Sequence, residues 1–223
     1  VDRPLSDSVP RLALSASPQL LGLGFFLLIW SLVISKMGWP LASLPLFGWH
    51  PLLQSLGLLL LIQSTSVLQP TTGSRPQEKG AAAKTHRWIN TTAAIVFTVG
   101  ASIMWYLHSP NGHFISWHGI FGTATVVWMW TQAVIGAASV WSLGQRLLGG
   151  EEKAKAIWKW HRLSGYLLLP FFLVTLFTGA TQTSWSQQNA STTYRALITV
   201  VLIGVFAAGA ARVQFSKLPK LMG

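Results

Sequence analysis

The sequence contains no cysteine, which excludes disulfides, thiolate metal sites, iron–sulfur clusters and the C-x-x-C-H attachment of covalent haem. Charge is scarce as well: 9% of the residues are charged and only five are acidic, against about 25% charged residues in an average soluble domain. No Asp or Glu falls inside any long apolar run, so a proton relay or cation transporter lacks its usual carboxylates. No lysine sits in the middle of such a run, which removes the amine of a retinal Schiff base. Glycine-rich dinucleotide fingerprints are absent, and the connections are too short for a flavin domain. Electrons for any redox chemistry would have to come from a small diffusible donor, a membrane quinone or a partner protein.

What the chain does contain is apolar. Of 223 residues, 51% are hydrophobic and 12 are tryptophan, the residue that collects where a bilayer core meets its headgroups. Six apolar runs, over 20–36, 48–69, 86–107, 115–142, 158–180 and 195–213, approach the roughly 20 residues a helix needs to cross a core about 30 Å thick. The fourth run is the longest and is expected to tilt or project. The composition therefore predicts an all-α membrane protein with six transmembrane helices in one domain, residues 20–213. A solvated arm over 1–19 precedes it and a tail over 214–223 follows. The apolar run begins too late and is too long for a signal peptide. The chain opens on Val1 rather than methionine, which reads as a start inside a longer sequence.

The net charge of +11 reads as membrane orientation and not as nucleic-acid binding. With an even number of spans, all of the 16 basic residues except Lys36 and Arg195 fall on one side. By the positive-inside rule that side, with both termini, is cytoplasmic. The tripeptide Asn189-Ala190-Ser191 then lies in the last outward loop as a candidate glycosylation site.

Four spans open on a histidine: His50, His86, His118 and His161. An imidazole at a bilayer boundary is costly unless something engages it. Alternating span direction puts His50 and His118 at one depth near the outer face, and His86 and His161 at another near the inner face. Two facing imidazoles are what six-coordinate haem iron requires, one ligand on either side of the porphyrin. Helix-bundle cores are where such sites are built. The second to fifth spans are thus expected to form a four-helix bundle holding two non-covalent haem b groups, their irons about 20 Å apart. Gly119, Gly122 and Gly165, beside the ligands, are expected to let a flat macrocycle approach the backbone. His108 and His113 read more simply as loop histidines.

The residues around these histidines resemble the cytochrome b561 family across most of the chain. The resemblance rests on Gly48-Trp49-His50-Pro51, Lys84-Thr85-His86, His113-Phe114-Ile115-Ser116-Trp117-His118-Gly119, and Lys159-Trp160-His161-Arg162-Leu163-Ser164-Gly165-Tyr166. It implies a transmembrane oxidoreductase that takes an electron from cytoplasmic ascorbate or a similar anion. The acceptor beyond the membrane would be monodehydroascorbate or a ferric chelate, as for a ferric reductase, and the resemblance also implies a homodimer. Lys84 matches the lysine implicated in ascorbate binding, with Lys79 as helper. Arg162 would pair with a haem propionate or with the same anion. His108 resembles the family's substrate-side histidine. One departure is visible: Gln63-Ser64-Thr65-Ser66-Val67-Leu68-Gln69-Pro70 stands where ascorbate-type members carry an arginine-containing motif. The Ser116-Trp117-His118-Gly119 opening is closer to the short, tumour-suppressor-like branch or its fungal relatives. Two other functions fit the residues less fully: a haem-bearing anchor of a quinone-linked dehydrogenase, and a non-redox metal or haem transporter.

Overall fold

The computed structural model describes residues 8–68, 75–110 and 112–213, with side chains from residue 17 onward. The expected tail over 214–223 and the first seven residues of the expected arm lie outside the described residues. Among those described there are nine α-helices and no strand: α1 (Ser8–Met37), α2 (Leu46–Ser66), α3 (Pro76–His108), α4 (Trp117–Ala138), α5 (Ser142–Leu147), α6 (Glu151–Ala156), α7 (Trp158–Thr181), α8 (Ser184–Asn189) and α9 (Thr192–Ala210). Six stretches are long and apolar enough to cross a bilayer, supplied by α1, α2, α3, α4, the α6–α7 pair and α9. The protein is an integral, multi-pass membrane protein.

Three boundaries differ from those the apolar runs suggest; the first is that α1 begins at Ser8, inside the expected arm. Helix α3 begins at Pro76, ten residues before His86. Pro76 in its first turn has no N–H to lose, and Glu78 in the same turn complements the positive end of the helix. Three alanines at 81–83 carry the helix onward, so Lys79 and Lys84 stand on a helix and not in a loop. Helix α4 ends at Ala138, short of the expected 142. There the Ser139 hydroxyl donates to the Gly136 carbonyl at 2.7 Å, the backbone turns, and α5 starts at Ser142. The turn is tight enough that a Cβ on Gly144 would run into the backbone of Ala138. Gly144→Ala should therefore lower the thermal midpoint in detergent by the equivalent of about 1–3 kcal/mol, the usual cost of overpacking. Gly80→Ala, where a Cβ meets nothing, should leave the midpoint level or slightly raised.

The starts of α4, α8 and α9 carry side-chain caps. Ser116 accepts from the Gly119 amide at the start of α4, and Ser191 from the Tyr194 amide at the start of α9. Each satisfies one of the amides a helix leaves open at its first turn. Asn189, the candidate glycosylation residue, donates from its side-chain amide to the Trp185 carbonyl at 2.9 Å and closes α8.

Helices α2 and α3 pack along each other, as do α4 and α7, and the buried core draws on these four together with α1 and α9. Helix α1 lies against α2 and α9 on the outside. Phe97 of α3 meets Phe172 of α7 with ring centroids 5.1 Å apart, while Leu52 and Leu58 of α2 and Ile198 and Leu202 of α9 are fully buried. The Tyr194 hydroxyl donates to the Leu28 carbonyl at 2.6 Å and ties α9 to α1. Large apolar side chains such as Leu27, Val127, Val134 and Ile203 point outward, as lipid contact requires. Exposed tryptophans ring both ends: Trp39, Trp105 and Trp117 at the His50 end, Trp88, Trp141 and Trp160 at the other.

Candidate functional site

Helix α2 carries His50 in its first turns and α4 carries His118 as its second residue. The two rings face each other with centroids 5.9 Å apart, 79° between their planes. That separation leaves room for a metal ion with bonds to nitrogen of about 2 Å on either side.

Each ring is held by its other nitrogen. His50 Nδ1 donates to the Gly100 carbonyl of α3 at 2.8 Å, and His118 Nδ1 to the Thr175 carbonyl of α7 at 3.0 Å. A carbonyl can only accept, so in each ring the proton is on Nδ1 and Nε2 keeps its lone pair for a metal. This is the arrangement that fixes tautomer and orientation in metal-binding histidines. The rings open on a cavity of about 470 Å³, within the range of about 300–1,000 Å³ typical of small-molecule sites. His108, Gln54, Gly122 and Thr125 also line it. His108 is therefore part of this cavity and not a plain loop residue; its Nδ1 is 2.9 Å from the Met104 carbonyl one turn back. His113 stands apart, stacked on Trp105 with ring centroids 3.7 Å apart.

At the other end, His86 Nδ1 lies 3.0 Å from the Ser64 carbonyl and 3.1 Å from the Ser64 hydroxyl, which itself donates to the His86 carbonyl. His161 is different. Its ring rests on Gly136 of α4, where a Cβ would come within 3.1 Å of Cε1, and its buried Nδ1 has no partner. The buried Oε1 of Gln132, one turn before Gly136, also has no partner. The other end of the Gln132 amide donates to Ser164, which receives Trp128 Nε1 as well, at 2.9 Å.

The ring seats form a pattern. His118 of α4 sits on Gly179 of α7, and His161 of α7 sits on Gly136 of α4. In both helices the glycine follows the histidine by eighteen residues. Likewise His50 of α2 is anchored by Gly100 of α3, and His86 of α3 by Ser64 of α2, with fourteen residues from histidine to anchor in each helix. Two antiparallel helices with equal spacings bring each histidine level with the other's seat. The rise of about 1.5 Å per residue separates the two levels by about 21 Å along α2 and α3, and about 27 Å along α4 and α7. The glycines expected to matter were the ligands' neighbours, but Gly119 and Gly165 meet Ser116 and Gln132 instead of a histidine. The seats are on the partner helix. The equal histidine-to-seat spacings were visible in the sequence, but without the helix pairing they had no meaning.

Around His86 and His161 the charge is basic. Lys79 Nζ lies 6.0 Å from the Trp158 ring centroid, which brings the start of α3 over the start of α7, three residues before His161. Lys84 is exposed, and Arg162 follows His161 directly. Arg212, after α9, donates to the Ser66 hydroxyl at the end of α2, at 3.3 Å. The described residues thus gather Lys79, Lys84, Arg162 and Arg212 at one end of the bundle.

The donor set suits iron in a porphyrin: imidazole nitrogens paired by level, no carboxylate near them among the described residues, no cysteine anywhere in the sequence, and an apolar bundle around them. The sequence matches the family described as eukaryotic cytochrome b561 over residues 49–187, a stretch that contains all four histidines. No curated protein matches the chain.

Proposed function

The chain belongs to the eukaryotic cytochrome b561 family, whose members transfer electrons across membranes with haem, and from that premise we propose a route and its residues. His50 and His118 hold one haem b, and His86 and His161 the other. When bound, b haem supplies reversible one-electron chemistry at iron. The observation that carries this reading is the His50–His118 pair, two rings 5.9 Å apart, each with Nδ1 spent on a carbonyl.

The chain's own residues do the rest. Gly100, Ser64 and Thr175 hold three of the four imidazoles, His50, His86 and His118, in one tautomer, and Gly136 and Gly179 set the seats of the His161 and His118 rings. The apolar core between the two levels keeps water from the path. The basic end, cytoplasmic in this reading, attracts an anionic reductant such as ascorbate or an analogue through Lys79, Lys84 and Arg162. The reductant gives up one electron into the protein there and one proton to the water of the cytoplasmic side. An acceptor such as monodehydroascorbate or a ferric chelate gains the electron at the other end, where His108 faces the cavity.

Lys84→Ala should slow reduction by ascorbate at least about tenfold, by analogy with the cost of losing a hydrogen bond to a charged group, while reduction by dithionite proceeds as before. Stopped-flow absorbance on the purified protein reads both rates. Equal ascorbate rates in the two proteins would remove Lys84 from the donor site.

A further inference from the structure

A second cavity, of about 390 Å³, opens between α7, α8 and α9 at the His50 end. Its polar lining is Thr181, Gln182, Gln187, Thr192, Arg195 and Thr199. Arg195 stands in the first turn of α9, where the helix already presents its positive end, so the position disfavours a cation. Its guanidinium donates to the Gln187 carbonyl at 3.2 Å and to the Thr192 hydroxyl at 3.4 Å. Both acceptors are neutral, and three of the five N–H groups remain for another ligand. No carboxylate among the described residues can balance the charge. Glu78 and Glu151 are at the opposite end, paired with Arg75 and Lys155, and Glu152 adjoins Glu151.

An arginine that only snorkelled would extend toward headgroup water. Arg195 instead folds back against the α8–α9 corner and lines the cavity with three hydroxyls and two amides. A half-buried cation at a membrane boundary, set among neutral donors and lacking a counter-charge, is completed by an oxyanion, which a planar guanidinium binds in a fork. Gln182 also lines the cavity of His50 and His118, so this residue borders both.

We propose that the Arg195 cavity is a binding site for an oxyanion, a carboxylate or phosphate group, next to the His50–His118 site. The group belongs either to a soluble polycarboxylate, such as carries ferric iron, or to a phospholipid headgroup. A role in electron delivery rests on the function proposed above; the anion site does not.

Wild-type holoprotein and Arg195→Gln are compared in phosphate-free maltoside. Calorimetry measures the binding of citrate, and native mass spectrometry measures co-purified phospholipid. Arg195→Gln should weaken one of the two at least about tenfold, with Arg195→Lys in between. Loss of citrate binding identifies a soluble ligand, and loss of phospholipid a headgroup. Thr199→Glu, which puts a carboxylate one turn from Arg195, should have the same effect and serves if Arg195→Gln does not fold. Binding in a folded variant equal to wild type in both arms overturns the site. A missing haem spectrum in the wild type would instead count against the electron-transfer reading and leave the anion result legible.

Discussion

Gly179→Ala is expected to empty the haem site at the His50 end and to spare the one at the His86 end. A Cβ at Gly179 would lie 2.6 Å from Cε1 and 2.9 Å from Nδ1 of His118, where carbon atoms normally stay about 3.5–4.0 Å apart. The ring cannot yield along α7 without breaking its bond to the Thr175 carbonyl, one turn before Gly179. It must therefore move by about 1 Å away from α7 and lose the orientation that presents Nε2. Loss of such a supporting contact commonly costs 10–100-fold in metal affinity, added to about 1–3 kcal/mol of packing strain. The haem content of the purified variant should fall toward half, and the remaining absorbance should titrate as a single potential. A variant with full haem content and two unchanged potentials would show that the seat is not constraining.

The second large effect is expected from the histidines themselves. His118→Ala and His86→Ala should each lose one haem and keep the other, because the two levels are about 21–27 Å apart and anchored by different residues. Each variant should also lose transfer across a sealed liposome by more than about 100-fold, since either site alone leaves most of a bilayer about 30 Å thick uncrossed. The two should differ at the donor. His118→Ala keeps the basic end with its haem and should still be reduced rapidly by external ascorbate, whereas His86→Ala should not. Equal donor rates in both variants would contradict the division of labour between the two ends.

Much of this architecture is legible in the sequence because a bilayer imposes simple rules. Run length predicts the six spans, and alternating direction predicts which histidines share a level; the structure then brings His50 and His118 face to face. The placement of Lys84 on a helix was harder to see, because the start of α3 is made by Pro76, Glu78 and three alanines, a soluble-helix signal that an apolar window ignores. Gly136 and Gly179 were beyond reach for a different reason. A glycine is a seat only for the side chain that faces it, and that depends on α4 packing along α7. Gln132 and Arg195 each read as ordinary alone; the first is notable for an acceptor with no partner, the second for a guanidinium whose acceptors are both neutral and which meets no carboxylate among the described residues. Neither property exists before the fold does.

The central claim is that four histidines hold two haems, one at each end of the bundle. It is tested most directly by the ratio of haem to protein in purified material, measured by pyridine haemochrome absorbance against amino-acid analysis, alongside a potentiometric titration. The account predicts two b-type haems per chain, both six-coordinate and low-spin, with each histidine substitution removing one. A ratio of one or none in protein that is folded and supplied with haem would contradict it.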